Sequence, residues 1–154
     1  MRRLIAVALP ALFVYAAAVH GQYPATQNPL VGAWRVTELV EPNRPPITSP
    51  PPGLYVFAKQ HYSMIRINGT KPLPEYPSND KATEADKVAV FNALYLNSGT
   101  YTVTGNVLAT KSIVAKSAFA MAGPGNRFEF TVNGDALVLT QKPSGAIIKL
   151  VRVE

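Results

Sequence analysis

The side chains that could do chemistry in this chain are sparse, and their scarcity already narrows the function. There is no cysteine, and of the two histidines only His61 lies beyond an apolar N-terminal leader. A metal ion needs several converging nitrogen, sulfur or carboxylate ligands, so no metal site is expected. A serine–histidine–acid triad would have to draw its base from His61. No nucleophile-elbow pattern accompanies that residue, and its place beside a two-residue turn reads as solvent-facing. Gly123-Pro124-Gly125 is followed by neither a helix nor a lysine, so it is no phosphate loop. Asn68-Gly69-Thr70 matches the acceptor pattern for N-glycosylation but reads as a plain turn.

What remains is the chemistry of recognition. Counting alternately from His61 puts Tyr62, Met64 and Arg66 on one face of a strand. An arginine buried without a partner is costly. An inward Arg66 therefore has to meet a carboxylate, such as Glu38 or Glu129, or the anionic headgroup of a ligand. A register slip of one residue would put it outside. Tyr55, Phe57, Tyr101, Phe128 and Phe130 stand at alternating positions on other strands. With Tyr62, Met64, Arg66 and Thr110 they form a candidate lining for a small hydrophobic or amphipathic molecule, mostly apolar with a few polar anchors. The same residues filling a solid core is the other reading.

The elements that would position these groups are mostly strands. Tyr23–Pro29 is a polar lead-in, and Leu30–Glu41 alternates as a strand with Trp34, Val36 and Glu38 on one side. Pro42–Pro52 holds six prolines, which remove backbone donors and fix φ, so it is an irregular or polyproline-like connection. It is either a lid or a solvent-facing strap. Gly53–Ala58 and His61–Asn68 form a hairpin across Lys59-Gln60, and Gly69–Asn79 is a second proline-rich connector. Thr83–Leu96 is the one helical pattern. Val88, Phe91, Leu94 and Tyr95 fall on one face, Thr83 serves as N-cap, and Glu84 and Asp86 suit the first turn. From there the chain reads as a meander: Thr100–Thr104, Val107–Ser117, Arg127–Val132, Ala136–Gln141 and Ala146–Val153. Gly105-Asn106 and Asn133-Gly134 supply tight turns, because these residues tolerate positive φ. Eight strands with one helix between the third and fourth predict an all-β up-and-down barrel or a sandwich, and closure of the sheet removes its exposed edges.

The 154-residue chain opens with Arg2 and Arg3, then a nearly unbroken apolar run from Leu4 to Ala18. That run falls short of the roughly 20 residues a membrane span needs. Residues 1–21 read as a cleaved signal peptide, and Gln22–Glu154 as a single barrel domain without a stable membrane anchor. Without Arg2 and Arg3 the fifteen Lys and Arg become thirteen against nine Asp and Glu, a net charge of +4. This excess is spread along the chain and lacks the clustering of a nucleic-acid footprint. An exported chain without disulfides points to a periplasmic or secreted bacterial protein whose core holds by packing alone.

The order of motifs resembles the bacterial lipocalin-like domain family of small calycin-type barrels. The carrying residues are Leu30-Val31-Gly32-Ala33-Trp34-Arg35-Val36, Pro52-Gly53-Leu54-Tyr55-Val56-Phe57, Tyr62-Ser63-Met64 and Gly99-Thr100-Tyr101-Thr102-Val103. Arg127-Phe128-Glu129-Phe130, Gly134–Thr140 and Leu150-Val151-Arg152 complete the series. The resemblance implies a closed or nearly closed barrel with an internal cavity and no cofactor. It also implies that Trp34, after Gly32, plugs one barrel end and that a basic residue of the last strand stacks across it, Arg152 or else Lys149. Two departures stand out. A proline run occupies the loop before the second strand. Thr110 and Ser112 stand on the strand where members of the family often carry histidines, which puts any activity relying on those histidines in doubt. The leading expectation is an exported binding protein for a small hydrophobic or amphipathic molecule. The alternatives are a cofactor-free cyclase or isomerase, with Tyr, Glu and Arg as acid, base and anion holder, and an envelope interaction module using Pro45–Pro52.

Overall fold

Alternation of buried and exposed residues governs nearly every strand of the molecule, known here as a computed structural model that describes residues 28–154. The leader expected over residues 1–21 lies outside them. The strands are β1 (Gly32–Val40), β2 (Gly53–Phe57), β3 (His61–Ile67), β4 (Leu94–Thr104), β5 (Val107–Ala115), β6 (Arg127–Asn133), β7 (Ala136–Lys142) and β8 (Ile147–Arg152). Each pairs antiparallel with the next, and β8 returns to β1, so the sheet closes into an eight-stranded up-and-down barrel. Helix α1 (Glu84–Ala93) lies between β3 and β4, and a short helix α2 (Ala118–Ala122) lies between β5 and β6.

Up-and-down topology gives the barrel two unlike ends. The tight turns β2–β3, β4–β5 and β6–β7 gather at one end with the start of β1 and the end of β8. The other end receives the long connections: Glu41–Pro52, Asn68–Thr83 with α1, Lys116–Asn126 with α2, and the β7–β8 turn. The proline segment doubles back there, with Ile47 exchanging backbone hydrogen bonds with Leu39 at 2.8 and 3.0 Å. Ile47 also packs on the core.

The first end is closed by a stack. Trp34 is fully buried, and its indole Nε1–H donates to the Leu30 carbonyl at 2.7 Å. Arg152, the register partner of Trp34, places Cζ 4.0 Å from the indole ring centre. Its guanidinium also donates to the carbonyls of Val31 at 2.8 Å and Pro29 at 3.0 Å. Gly32 has φ of +134°, and a Cβ there would collide with the Glu154 carbonyl and the Arg152 guanidinium, so only glycine fits. Above the stack, Phe57 meets Tyr101 edge-on at 5.4 Å between ring centres. Tyr101 accepts from the Asn28 amide and donates to the Ala58 carbonyl, both at 2.6 Å. Lys149, the other candidate for the stack, instead pairs with Glu38 at 2.9 Å.

Three local expectations are corrected. The helix expected over Thr83–Leu96 stops at Ala93, and Leu94, Tyr95 and Leu96 open β4. The spacing of Val88, Phe91, Leu94 and Tyr95 suits a helix, but Leu94-Tyr95-Leu96-Asn97 also alternates. Pairing with Ile67-Arg66-Ile65-Met64 decides in favour of the strand, leaving Val88 and Phe91 exposed. Thr83 does cap α1, in a reciprocal capping box with Asp86. Second, β5 ends at Ala115, and the unexpected α2 follows, capped by the Ser117 hydroxyl. Third, a bulge between Val36 and Glu38 breaks the alternation of β1, so Leu39 rather than Glu38 is buried beside Trp34 and Val36.

The Arg152 stack generates a stability prediction. Replacing Arg152 with Ala removes charge-assisted hydrogen bonds to two backbone carbonyls and the contact with the indole, an expected loss of about 1–3 kcal/mol. Urea unfolding followed by Trp34 fluorescence measures it. A midpoint unchanged from the parent would contradict the role given to the stack.

Candidate functional site

Strand β3 begins at the exposed His61 and alternates, which buries Tyr62 and Met64 in the barrel interior and turns the half-buried Arg66 to the same face, where it reaches the buried Tyr55. Arg66 is the last of them and lies toward the end that carries the long connections, opposite Gly53 on β2 and Tyr95 on β4. This is the open end in the sense that no stack like that of Trp34 and Arg152 closes it among the described residues. Its entry depends on Gly53: a Cβ on that residue would sit 2.8 Å from the Arg66 Cβ and 2.9 Å from Val36 Cγ2. The guanidinium Nη1 donates to the Tyr55 hydroxyl at 2.7 Å, and Nε donates to Asn68 Oδ1 at 3.1 Å. Its Cζ lies 4.4 Å from the centre of the Tyr95 ring. No carboxylate among the described residues pairs with it: Glu38 is taken by Lys149 and Glu129 by Lys142. Among the described residues, phenol, amide and π-electrons offset the charge of Arg66.

A polar layer lies deeper. The buried Asn97, two residues beyond Tyr95 on β4, accepts at Oδ1 from the Tyr62 hydroxyl at 2.6 Å and from Ser112 Oγ at 2.8 Å. Two residues from Ser112 on β5, Thr110 Oγ1 accepts from the Asn126 backbone N–H at 3.2 Å, and Gln141 donates to Asn126 Oδ1 at 3.2 Å. Among the described residues, every buried side-chain nitrogen and oxygen has a hydrogen-bond partner. The upper interior is thus polar but satisfied, while the guanidinium has protein acceptors for only two of its N–H groups.

The environment fixes the protonation of the tyrosines. Burial pushes the Tyr55 hydroxyl above its ordinary value, with the neighbouring Arg66 charge and its hydrogen bond opposing. Tyr95 is pushed up to about 12, chiefly by burial and then by the approach of Tyr55, against the pull of Arg66. Burial also raises Tyr101. At neutral pH these phenols keep their protons and act as hydrogen-bonding groups.

Beside Asn68 the surface opens into a cleft of about 590 Å³ between the connector after β3 and α1, lined by Asn68, Gly69, Lys71, Pro72, Ala89 and Ala93 among others. Asn68 belongs both to this cleft and to the hydrogen-bond set of Arg66.

All nine residues taken from the sequence as a lining point inward. Tyr55, Phe57, Tyr62, Met64, Tyr101, Phe128 and Phe130 are buried in one core cluster together with Trp34, Thr110 is buried beside it, and Arg66 is half-buried. Gly32, Trp34 and Arg152 stand at the closed end. Sequence reasoning missed Tyr95 and Asn97, because the helix was extended over the first and the strand was begun after the second. It also passed over Asn126 and Gln141, whose part depends on long-range pairing. His61 is exposed, and no group of three or more His, Cys, Asp or Glu among the described residues is placed to hold a metal ion.

Two solved structures share the architecture. A lipocalin-like protein from Bacteroides uniformis ATCC 8492 aligns with a TM-score of 0.49 at 12% identity, covering 81% of this chain and 99% of that one. An uncharacterized protein from Bacteroides eggerthii DSM 20697 aligns with a TM-score of 0.50 at 11% identity, covering 80% and 98%. At such identity the likeness concerns the fold, which agrees with the all-β, eight-stranded closed barrel carrying a helix between β3 and β4. No family model and no curated protein sequence matches the chain.

The tyrosine environment predicts an alkaline limit to stability. An unfolded tyrosine ionises near 10.0, whereas folded Tyr95 holds its proton to about 12. Stability is therefore complete below pH 10 and falls as the unfolded state alone gives up the proton, by on the order of 2–3 kcal/mol between pH 10 and 12. Urea midpoints at pH 8 and pH 11 measure the fall. The Tyr95→Phe variant should show a clearly shallower one, and an identical slope in parent and variant would disprove the assignment.

Proposed function

We propose that this protein is an exported binding protein for a small amphipathic anion. In this reading Arg66 receives the acidic head, and the apolar tail lies along the open end of the barrel toward the Asn68 cleft. The basic, apolar leader supports export, to the periplasm or beyond the cell. One observation carries the ligand class: an inward guanidinium at the barrel mouth without a carboxylate partner among the described residues. An arginine is a planar donor set suited to two oxygens of a carboxylate, and Arg66 retains N–H groups to offer. A neutral Tyr55, already accepting from Arg66, still has its own proton to donate to such a head. Phenols with raised pKa values are poor bases near neutrality, which favours holding over proton abstraction.

The test compares a medium-chain carboxylate with the alcohol of equal length by calorimetry. The carboxylate should bind at least about tenfold tighter, the difference expected of one charge-assisted pair. In the Arg66→Gln variant, checked for an unchanged fold by circular dichroism, that preference should vanish while the alcohol binds as before. Equal affinities in the parent, or no binding of either compound, would overturn the reading.

A further inference from the structure

The nine carboxylates of the chain are unevenly placed, with none between Glu41 and Glu75 and none between Asp86 and Glu129. Strands β2, β3, β4 and β5 and helix α2 are consequently free of acidic side chains, while β1 and β6 carry Glu38 and Glu129, each paired with a lysine. Large apolar side chains stand exposed on these elements. Phe119 on α2 is 87% exposed, and Met121, Ile113 and Val114 are exposed with it, as is Phe91 near the end of α1, away from Glu84 and Asp86 in the first turn of that helix. A bulge opposite Ser98 and Gly99 lets both Ile113 and Val114 face outward.

These residues form one neighbourhood. Helix α2 follows β5 directly and packs against it. Lys116, between the two, donates to the carbonyls of Phe91 at 3.1 Å and Asn92 at 3.4 Å and lies 5.0 Å from the centre of the Phe91 ring. Lys111 donates to the Gly123 carbonyl at 2.7 Å, at the far end of α2. Neither lysine forms an ion pair among the described residues. An aromatic and a methionine thus project into water at the open end of the barrel, framed by two cations that carbonyl oxygens hold in place.

A second copy of the chain is a poor occupant for this face, because a two-fold pairing would bring Lys111 and Lys116 against each other with no carboxylate to receive them. An anionic lipid surface meets both features: the apolar side chains enter the boundary between headgroups and acyl chains, and the lysines approach the phosphates. We propose that the α2 face, with Phe119 and Met121 at its tip and Lys111 and Lys116 at its flanks, docks the protein peripherally on an anionic bilayer. No helix among the described residues is long and apolar enough to cross one. The docking would set the mouth that holds Arg66 toward the membrane.

The chain from Gln22 to Glu154 contains every described strand and suits the test, because it leaves out the apolar leader. It is mixed with vesicles of phosphatidylcholine alone or with phosphatidylglycerol added, and the bound fraction is read by flotation. Binding is expected only with phosphatidylglycerol and should weaken at high salt. F119A/M121A and K111Q/K116Q should each lower the partition about tenfold or more. Arg66→Gln should bind vesicles like the parent, so that failure of docking and failure of ligand recognition are separable. No partition into either vesicle, or partition unchanged in F119A/M121A, overturns the proposal. So does a dimer, seen by sedimentation velocity, that dissociates in F119A/M121A, because the face would then belong to a second copy.

Discussion

The pairing of β8 with β1 is the constraint on which the rest of the molecule depends. An open eight-stranded sheet presents two unpaired edges, and this chain has no disulfide with which to hold its ends. Closure instead runs along a seam where Trp34 faces Arg152, Val36 faces Leu150 and Leu39 faces Ile148. The seam does more than join edges. It brings the last strand against the residues that enter the first, so Arg152 can hold the carbonyls of Pro29 and Val31 while its guanidinium lies on the Trp34 ring. The chain termini of the barrel are thereby tied together at one end, and the long connections are all left at the other.

This division orders the interior. Near the seam's tied end the inward positions hold Trp34 and Phe57, whose rings need no polar partner beyond the indole N–H. Toward the open end the inward positions become Tyr55, Tyr95, Asn97, Ser112 and Arg66, and the Tyr62 hydroxyl reaches Asn97 from beside Phe57. A small barrel of eight strands has room for its own side chains or for one small ligand, so every polar group placed there has to be satisfied locally. Asn97 does this for Tyr62 and Ser112 at once. Arg66 is the exception in kind: its charge is held by neutral groups, and glycine at position 53 is what gives its strand room to approach.

Much of the fold was legible because the deciding signals were local. Gly105-Asn106 and Asn133-Gly134 mark turns through their backbone freedom. Thr83 marks the start of α1 through its hydroxyl, and the proline runs exclude regular structure directly. The inward course of Tyr62, Met64 and Arg66 followed from a period of two. What was not legible rests on long-range pairing. Leu94 and Tyr95 satisfy a helical spacing and a strand alternation equally well, and only the presence of β3 beside them decides. The bulge at Val36–Glu38 has no local signature, so Glu38 could be placed on the inner face from sequence although its partner is Lys149. Helix α2 did have a signal, Ser117 ahead of Ala-Phe-Ala-Met-Ala, but a run so short and apolar also continues a strand. The candidate partners of Arg66 were wrong for the same reason: both glutamates are claimed by lysines on adjacent strands.

The two helices show how the open end differs from a merely unfinished one. Helix α1 buries no residue fully, and α2 buries none either, so neither is held by the apolar burial that stabilises most short helices in proteins. Each is held at its ends. Thr83 and Asp86 cap the start of α1, Ser117 caps the start of α2, and lysines of β5 and its extension meet the carbonyls at their far ends. Capping orders a helix without covering its side chains. The apolar residues of α1 and α2 therefore remain exposed at the same end as Arg66, which has no carboxylate partner among the described residues. A barrel that needed only to be stable would gain by burying Phe119 and neutralising Arg66. The exposed Phe119 and the carboxylate-free Arg66 stand at the same end of the barrel, so the proposed ligand and membrane contacts rest on one end of the molecule.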